Sequence, residues 1–266
     1  MVSRLWRAGR RRAQRLIHGP NRTDIPRELL REGVFFLAGR FRHTLTVRWP
    51  AGTFVVSTRD YDVSRRTYVS GPYGLERLLR VGGLIELRGR EVLEVGANIG
   101  TTTVPFVTVL NAARVHACEP IRRNLALLER NVERNGLRDR VTIHDVAVSD
   151  RPGTLSFSLA DRYWGSSRVA AEGQPARATT IDALLATGLS PALVWIDVEG
   201  HEAAVLAGAR TLGSVPIVIE HDPSQHADLA ALHEEISRRA GRLIDLSSGE
   251  PVSLEGLGTT DLLILP

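Results

Sequence analysis

The stretch Glu91-Val92-Leu93-Glu94-Val95 runs straight into Gly96-Ala97-Asn98-Ile99-Gly100, so an apolar strand ends on two glycines four residues apart. Glycine takes backbone conformations closed to residues with a Cβ and lets another group approach the main chain closely. A buried strand that ends this way is the first half of a ligand-binding β-α unit. The rest of the chain keeps that rhythm. Thr101 to Leu110 reads as a helix, "RVHACE" as a strand, Ile121 to Asn135 as a helix closed by Asn135-Gly136, and "RVTIHDVAV" as a third strand. Residues 151–180 break the alternation with short alternating pieces and turn residues, and they read as an inserted loop or hairpin. It resumes with "ALVWIDVEG", a helix from about His201 to Leu212, "VPIVIE", a helix from Ala227 to Ala240, "RLIDL" and "DLLIL". Strands alternating with helices predict an α/β fold around a doubly wound, mostly parallel sheet.

Residues 1–90 read differently, as a basic head and a small mixed lead-in region before the domain at 91–266. Two alternating runs flank Pro50-Ala51-Gly52, which predicts a β-hairpin. Leu75, Leu78, Leu79 and Val81 fall at helical spacing, and Gly82-Gly83 is expected to stop that helix. Every basic residue is arginine, the mark of a GC-rich and bacterial coding bias, and residues 1–50 carry 12 Arg against 3 acidic residues. Residues 51–266 carry 22 Arg against 27 acidic residues, so the basic character is local and makes no strong case for nucleic acid. Arg4, Arg7, Arg10, Arg11, Arg12 and Arg15 surround Leu5, Trp6, Leu16 and Ile17, a pattern that suits weak contact with an anionic membrane surface or partner. The single cysteine, Cys118, excludes an internal disulfide, and the basic N-terminus lacks the apolar core of a secretory signal, so a cytoplasmic protein is expected.

In a doubly wound sheet, ligands sit outside the carboxyl ends of the strands, where the strand order reverses. The turn spacing is G-x-N-x-G rather than the G-x-G-x-x-G of a dinucleotide site, and no basic residue lies between Gly96 and Thr103 to hold phosphate. Glu119-Pro120 ends the second strand, where a carboxylate can accept hydrogen bonds from both hydroxyls of a ribose. A glycine turn and a ribose carboxylate without a phosphate clamp point to S-adenosylmethionine. Two acidic clusters, Asp197, Glu199, His201 and Glu202, then Glu220, His221 and Asp222, end the fourth and fifth strands at the same edge.

The segments "LEVGANIGTTT", "HACEP", "VAVSDRPGTLSF", "TTIDAL", "WIDVEGHEAAVLAGA" and "IVIEHDP" follow, in order, the pattern of the FkbM family of S-adenosylmethionine-dependent methyltransferases, which this chain resembles over roughly residues 55 to 225. The resemblance implies a class I methyltransferase fold with an antiparallel last strand, and O-methylation of a small-molecule or sugar hydroxyl in natural-product or glycan biosynthesis. By resemblance and position, Gly96, Ala97, Asn98, Gly100 and Thr101 would pack against the methionine portion. Glu94, where the family more often has Asp, would serve its ammonium. Glu119 and Pro120 would meet the ribose, Asp145, Val146 and Ala147 the adenine, and Asp197 is a further cofactor contact. The family commonly has Lys where this chain has Trp195.

An aliphatic hydroxyl must lose a proton, and a neutral histidine suits that near neutral pH. His201 is the first candidate base, with Glu199 or Glu202 as orienting or alternative bases and His221 as runner-up. Tyr73, Trp164, Ser166, Ser167 and Asp222 are the expected substrate contacts. Asp197, Glu220 and Asp222 could instead gather a magnesium ion through hard oxygen ligands. A nicotinamide-dependent oxidoreductase and a non-catalytic S-adenosylmethionine-binding or scaffold module are the alternatives. The first lacks a phosphate-binding turn, and the acidic clusters argue against the second. The lead-in region could mediate a homodimer.

Overall fold

The computed structural model describes residues 25–225 and 228–266. The Arg-rich head and the predicted helix start at Ala227 lie outside the described residues. Helix α1 spans Ile25–Ala38, and the expected hairpin forms from β1, Thr44–Trp49, and β2, Gly52–Ser57. Helices α2, Val63–Val69, and α3, Leu75–Leu84, complete the lead-in region. Here the structure corrects the sequence reading, because α3 runs through Gly82-Gly83 instead of stopping there. A Cβ on Gly82 would overlap the Leu110 side chain, so this glycine serves close packing rather than helix termination.

The central sheet has seven strands in the order β12-β13-β11-β10-β3-β4-β5. Those strands are β3, Glu91–Val95; β4, Arg114–Cys118; β5, Val141–His144; β10, Pro191–Ile196; β11, Ile217–His221; β12, Arg242–Asp245; and β13, Thr260–Leu265. From β11 across to β5 every pair is parallel, while β13 runs antiparallel to both its neighbours. The helices between strands are α4, Thr103–Thr108; α5, Arg122–Arg134; α6, Ile181–Leu185; α7, Glu202–Ala207; and α8, Leu229–Ser237. The chain moves from β3 to β4 and β5 on one side, then returns to β10 and β11 on the other. That places the reversal of strand order between β3 and β10.

Successive residues of each central strand face opposite layers, as the period of two requires. Val92, Leu193 and Trp195 pack into a core shared with α3, α4, α5 and the hairpin, including Phe54, Leu78, Phe106 and Leu128. Leu93, Val95, Val194 and Ile196 pack into a second core with α6, α7 and α8. The lead-in region is therefore the cover of one sheet face, and residues on both sides of position 90 share one core.

Two asparagines one turn apart fasten that cover. Asn131 Oδ1 accepts from the Val55 N–H at 2.6 Å, and its Nδ2 donates to the carbonyls of Val55 at 3.1 Å and Ile99 at 2.7 Å. Asn135 treats Thr53 the same way, accepting from its N–H at 2.8 Å and donating to its carbonyl at 2.7 Å. Helix α5 thus satisfies the free edge of β2, an edge that would otherwise expose unpaired backbone groups.

The third predicted strand breaks in two. Strand β5 ends at His144, and β6, Ala147–Val148, leaves for a separate sheet of order β6-β9-β7-β8. The insert supplies the rest of it, as β7, Gly153–Ser158; β8, Arg168–Ala170; and β9, Gln174–Thr179, with a 3-10 turn at Trp164–Ser166.

Candidate active site

Between the carboxyl ends of β3, β4 and β10 lies a cleft of about 920 Å³, solvent at its mouth included. Its floor is made by backbone contact. Asp197 N–H donates to the Val95 carbonyl at 3.0 Å, and a Cβ on Gly96, at φ +89°, would overlap the Asp197 carbonyl oxygen. The two strand-end turns touch main chain to main chain, which only glycine at position 96 permits. Asn98 and Glu199 both sit at positive φ, 50° and 53°, so each turn is a tight one.

Glu119 is 3% exposed, and its carboxylate accepts from the Asn98 N–H at 2.7 Å and the Ile121 N–H at 2.9 Å. Burial pushes it up to about 7, against the pull of those amides. Two acceptors in the same cleft, Asn98 Oδ1 and Asn124 Oδ1, are buried with no hydrogen-bond partner among the described residues. Buried acceptors without donors are rare in a folded protein and fit a ligand that brings its own hydroxyl or amino groups. Val146, Leu155, Phe157 and Val169 supply an apolar wall, so this end suits a nucleoside.

The other end is acidic. Burial, then Asp197, Glu220 and Glu202, push Glu199 up to about 9, and burial with Asp197 and Asp261 pushes Glu220 up to about 8. Arg77 answers part of this charge, with guanidinium nitrogens 2.5 Å from Asp261 and 3.4 Å from Asp197. It also lies 5.3 Å from the Tyr73 ring centroid and 5.8 Å from that of Trp195, whose buried indole meets Phe106 edge-on. Sequence reasoning missed Arg77. Its only signal was a position on the polar side of the leucine stripe of α3.

The cleft brings together Gly96, Ala97, Asn98, Thr101, Glu119, Pro120, Val146, Ala147, Asp197, Glu199 and His201, and it adds Tyr73, Trp164 and Ser167. The remaining candidates fall elsewhere. Glu94 is fully buried beneath the glycine turn, where its carboxylate accepts from the Thr102 hydroxyl and, at 2.6 Å, from the Thr103 hydroxyl. It braces the start of α4 rather than facing the cleft. Gly100 packs under Leu128 and shapes the turn from behind. Asp145 is exposed where β5 ends, and Ser166 is exposed on the 3-10 turn. Glu202 accepts from the Val198 N–H at 3.2 Å and fixes its own turn.

His221 is buried, with Nδ1 2.9 Å from the Gly258 carbonyl and Nε2 2.9 Å from Nε2 of His233, so it is committed to packing the β13 side. Asp222 accepts from the Ser224 N–H and hydroxyl at 2.9 and 2.7 Å and closes a surface turn. The expected metal trio therefore changes. Among the described residues, Asp197, Glu199 and Glu220, without Asp222, bring one oxygen each within 4.8 Å of one another. Arg77 pairs with one of the three, Asp197, at 3.4 Å.

His201 lines the cleft with Nε2 2.9 Å from the Ser149 hydroxyl, and burial holds its pKa below the usual histidine range. It is neutral at pH 7 and able to accept a proton.

A sequence model described as the methyltransferase FkbM domain matches residues 94–241. The chain belongs to the FkbM methyltransferase family. It is a methyltransferase, and the cofactor of an FkbM methyltransferase, S-adenosylmethionine, fits the nucleoside end and the charged end of the cleft. Among curated proteins, the chain is 37% identical over 103 residues to the tRNA wybutosine-synthesizing protein 2 homolog of Danio rerio, covering 39% of this chain and 24% of that protein. The Homo sapiens homolog is 36% identical over 102 residues, 38% of this chain and 21% of that one. The chain thus spans under a quarter of the length of these relatives. Pyrococcus horikoshii TYW2 in complex with MeSAdo overlaps 84% of this chain and 70% of its own at 11% identity and a TM-score of 0.46, too loose an overlap to add weight. The curated relatives overturn two expectations, the small-molecule or sugar hydroxyl acceptor and the absence of a case for nucleic acid, since the proteins matched are named for work on tRNA.

Proposed function

We propose that this FkbM methyltransferase transfers the methyl group of S-adenosylmethionine to a nucleotide of tRNA. The observation that carries the reading is the 36–37% identity to curated proteins named for tRNA wybutosine synthesis. When bound, S-adenosylmethionine supplies an electrophilic methyl on a positively charged sulfur. Glu119 accepts hydrogen bonds from the ribose hydroxyls, and the orphaned oxygens of Asn98 and Asn124 accept from the remaining donors of the nucleoside. The wall of Val146, Leu155, Phe157 and Val169 covers the planar base. Asp197 answers the positive charge of the amino-acid end, and Arg77 answers its carboxylate. Glu94 acts indirectly, by holding Thr102 and Thr103 and so the turn above them.

Tyr73 and Trp164 line the cleft, where their rings help exclude water from the acceptor. His201, neutral and cleft-lining, takes the proton that the acceptor atom sheds. Methyl transfer needs alignment above all, and the rigid main-chain contact at Gly96 provides a fixed platform for it. The test is incubation of the protein with bulk tRNA and S-adenosylmethionine carrying a radiolabelled methyl. Acid-precipitable label that ribonuclease releases is the expected result. Label that stays on protein, or no label on RNA, defeats the reading.

A further inference from the structure

Beside the cofactor cleft runs a second and larger depression of about 1520 Å³, solvent at its mouth included. Its walls come from five separate parts of the chain: the end of α1, the start of β1, the β2–α2 connection, helix α5 and the β7–β8 connection. Its charge is one-sided, with Arg40, Arg59, Arg123, Arg130 and Arg162 set against the single carboxylate of Asp161. Arg40, Arg59, Arg130 and Arg162 are exposed and make no ion pair among the described residues. Carboxylates are not scarce in this chain. Residues 51–266 hold 27 acidic side chains against 22 arginines, and arginines elsewhere find partners, as Arg65 does in Glu32 and Arg238 in Glu234. Unpaired guanidiniums gathered in one concavity repel each other, and a polyanion relieves that repulsion.

Aromatic faces alternate with the charges. The Arg162 guanidinium lies 5.3 Å from the Tyr61 ring centroid, and that of Arg123 lies 4.4 Å from the Trp164 ring. Guanidiniums interleaved with ring faces suit a chain that alternates phosphates with bases, and a concave track suits an unpaired strand better than a duplex. Trp164 lines both the depression and the cofactor cleft, so the two adjoin at that residue. That residue is held at both ends. The buried carboxylate of Asp60 accepts from its backbone N–H at 3.1 Å, and its indole N–H donates to the Asp161 carbonyl at 3.1 Å.

We propose that this arginine groove is the track for the sugar-phosphate backbone of an unpaired RNA segment, which enters the cofactor cleft past Trp164. The inference rests on the tRNA reading and adds the surface that would hold the substrate. It is tested with the triple variant R40E/R59E/R130E, whose three positions are exposed and lie outside the cofactor cleft. Binding to a fluorescent mixed-sequence single-stranded RNA oligonucleotide is read by anisotropy across a salt series, with anionic phospholipid vesicles as a second arm and calorimetry of S-adenosylmethionine as the folding control. The expected result is RNA affinity weaker by about tenfold or more and a salt slope shallower by about 2, since each lost phosphate contact on a single strand removes about 0.7. Cofactor affinity should be unchanged. Wild-type RNA binding that the triple variant retains in full, slope included, overturns the groove while leaving the tRNA reading intact. A wild-type protein that binds the vesicles but no RNA overturns both.

Discussion

Gly96 and Glu199 carry opposite kinds of constraint. Gly96 is fixed by geometry, since its φ of +89° and its contact with the Asp197 carbonyl leave no room for a Cβ. Gly96→Ala is expected to destabilise the fold by about 2–4 kcal/mol and to abolish cofactor binding, both measurable by thermal melts and calorimetry. Glu199 is fixed by electrostatics. Its folded pKa of about 9 lies above the ordinary value of 4.5, as does the value of about 8 for Glu220. Between pH 7 and 9 the folded protein therefore holds protons that the unfolded chain has released, so stability falls as pH rises. The lowered pKa values of His116, His144, His201 and His233 act in the opposite sense, but only below about pH 6.5, where unfolded histidines charge. Melting temperature should decline from pH 7 to 9, and Glu199→Gln should flatten that decline. A wild-type profile that rises across the window contradicts the assignment. The glycine turn and Glu119 were readable in sequence because chain order alone sets them at strand ends. The burial of Glu94 was not, since only the fold decides that Thr102 and Thr103 turn back to meet it.

Helix α5 shows how one element can serve fold and site together. Asn131 and Asn135 look like ordinary polar residues of an amphipathic helix, yet they close the edge of β2 and hold the carbonyl of Ile99 in the glycine turn. Asn131→Leu would leave one buried N–H and two carbonyls without that partner. We expect a loss of about 3 kcal/mol and a melting temperature lower by about 6–12 °C, read by calorimetric scanning. Sequence patterning found the helix and its Asn135-Gly136 stop but gave no sign of this role, because strand mimicry by a side-chain amide has no period. The break after β5 was hidden for a related reason. "RVTIHDVAV" alternates as one strand would, and only the competing sheet of the insert, through β9, draws β6 away from the central sheet. Gly82 of α3 misled in the opposite direction, since in sequence its close packing against Leu110 looks the same as a helix stop.

At the scale of the whole molecule, the strand-helix alternation and the order of motifs made the fold and the cofactor legible, because both depend on local patterns repeated along the chain. The acceptor was not legible. A count by segment gives residues 51–266 more acidic than basic groups, while the arginine groove draws its five arginines from four separate segments and so leaves no run of charge to notice. Exposed apolar residues on α1 and just beyond its end, Leu30 at 69% and Phe41 at 81%, lie on the same cover that forms one wall of that groove. The most direct measurement follows the transferred group itself. Bulk tRNA is incubated with the protein and S-adenosylmethionine bearing a trideuterated methyl, digested to nucleosides and read by mass spectrometry, with Glu119→Ala in parallel. A tRNA methyltransferase built on this cleft yields a deuterated nucleoside with the wild-type protein and none with Glu119→Ala. Nucleosides free of deuterium in the wild-type reaction, with calorimetry showing the cofactor bound, would contradict it.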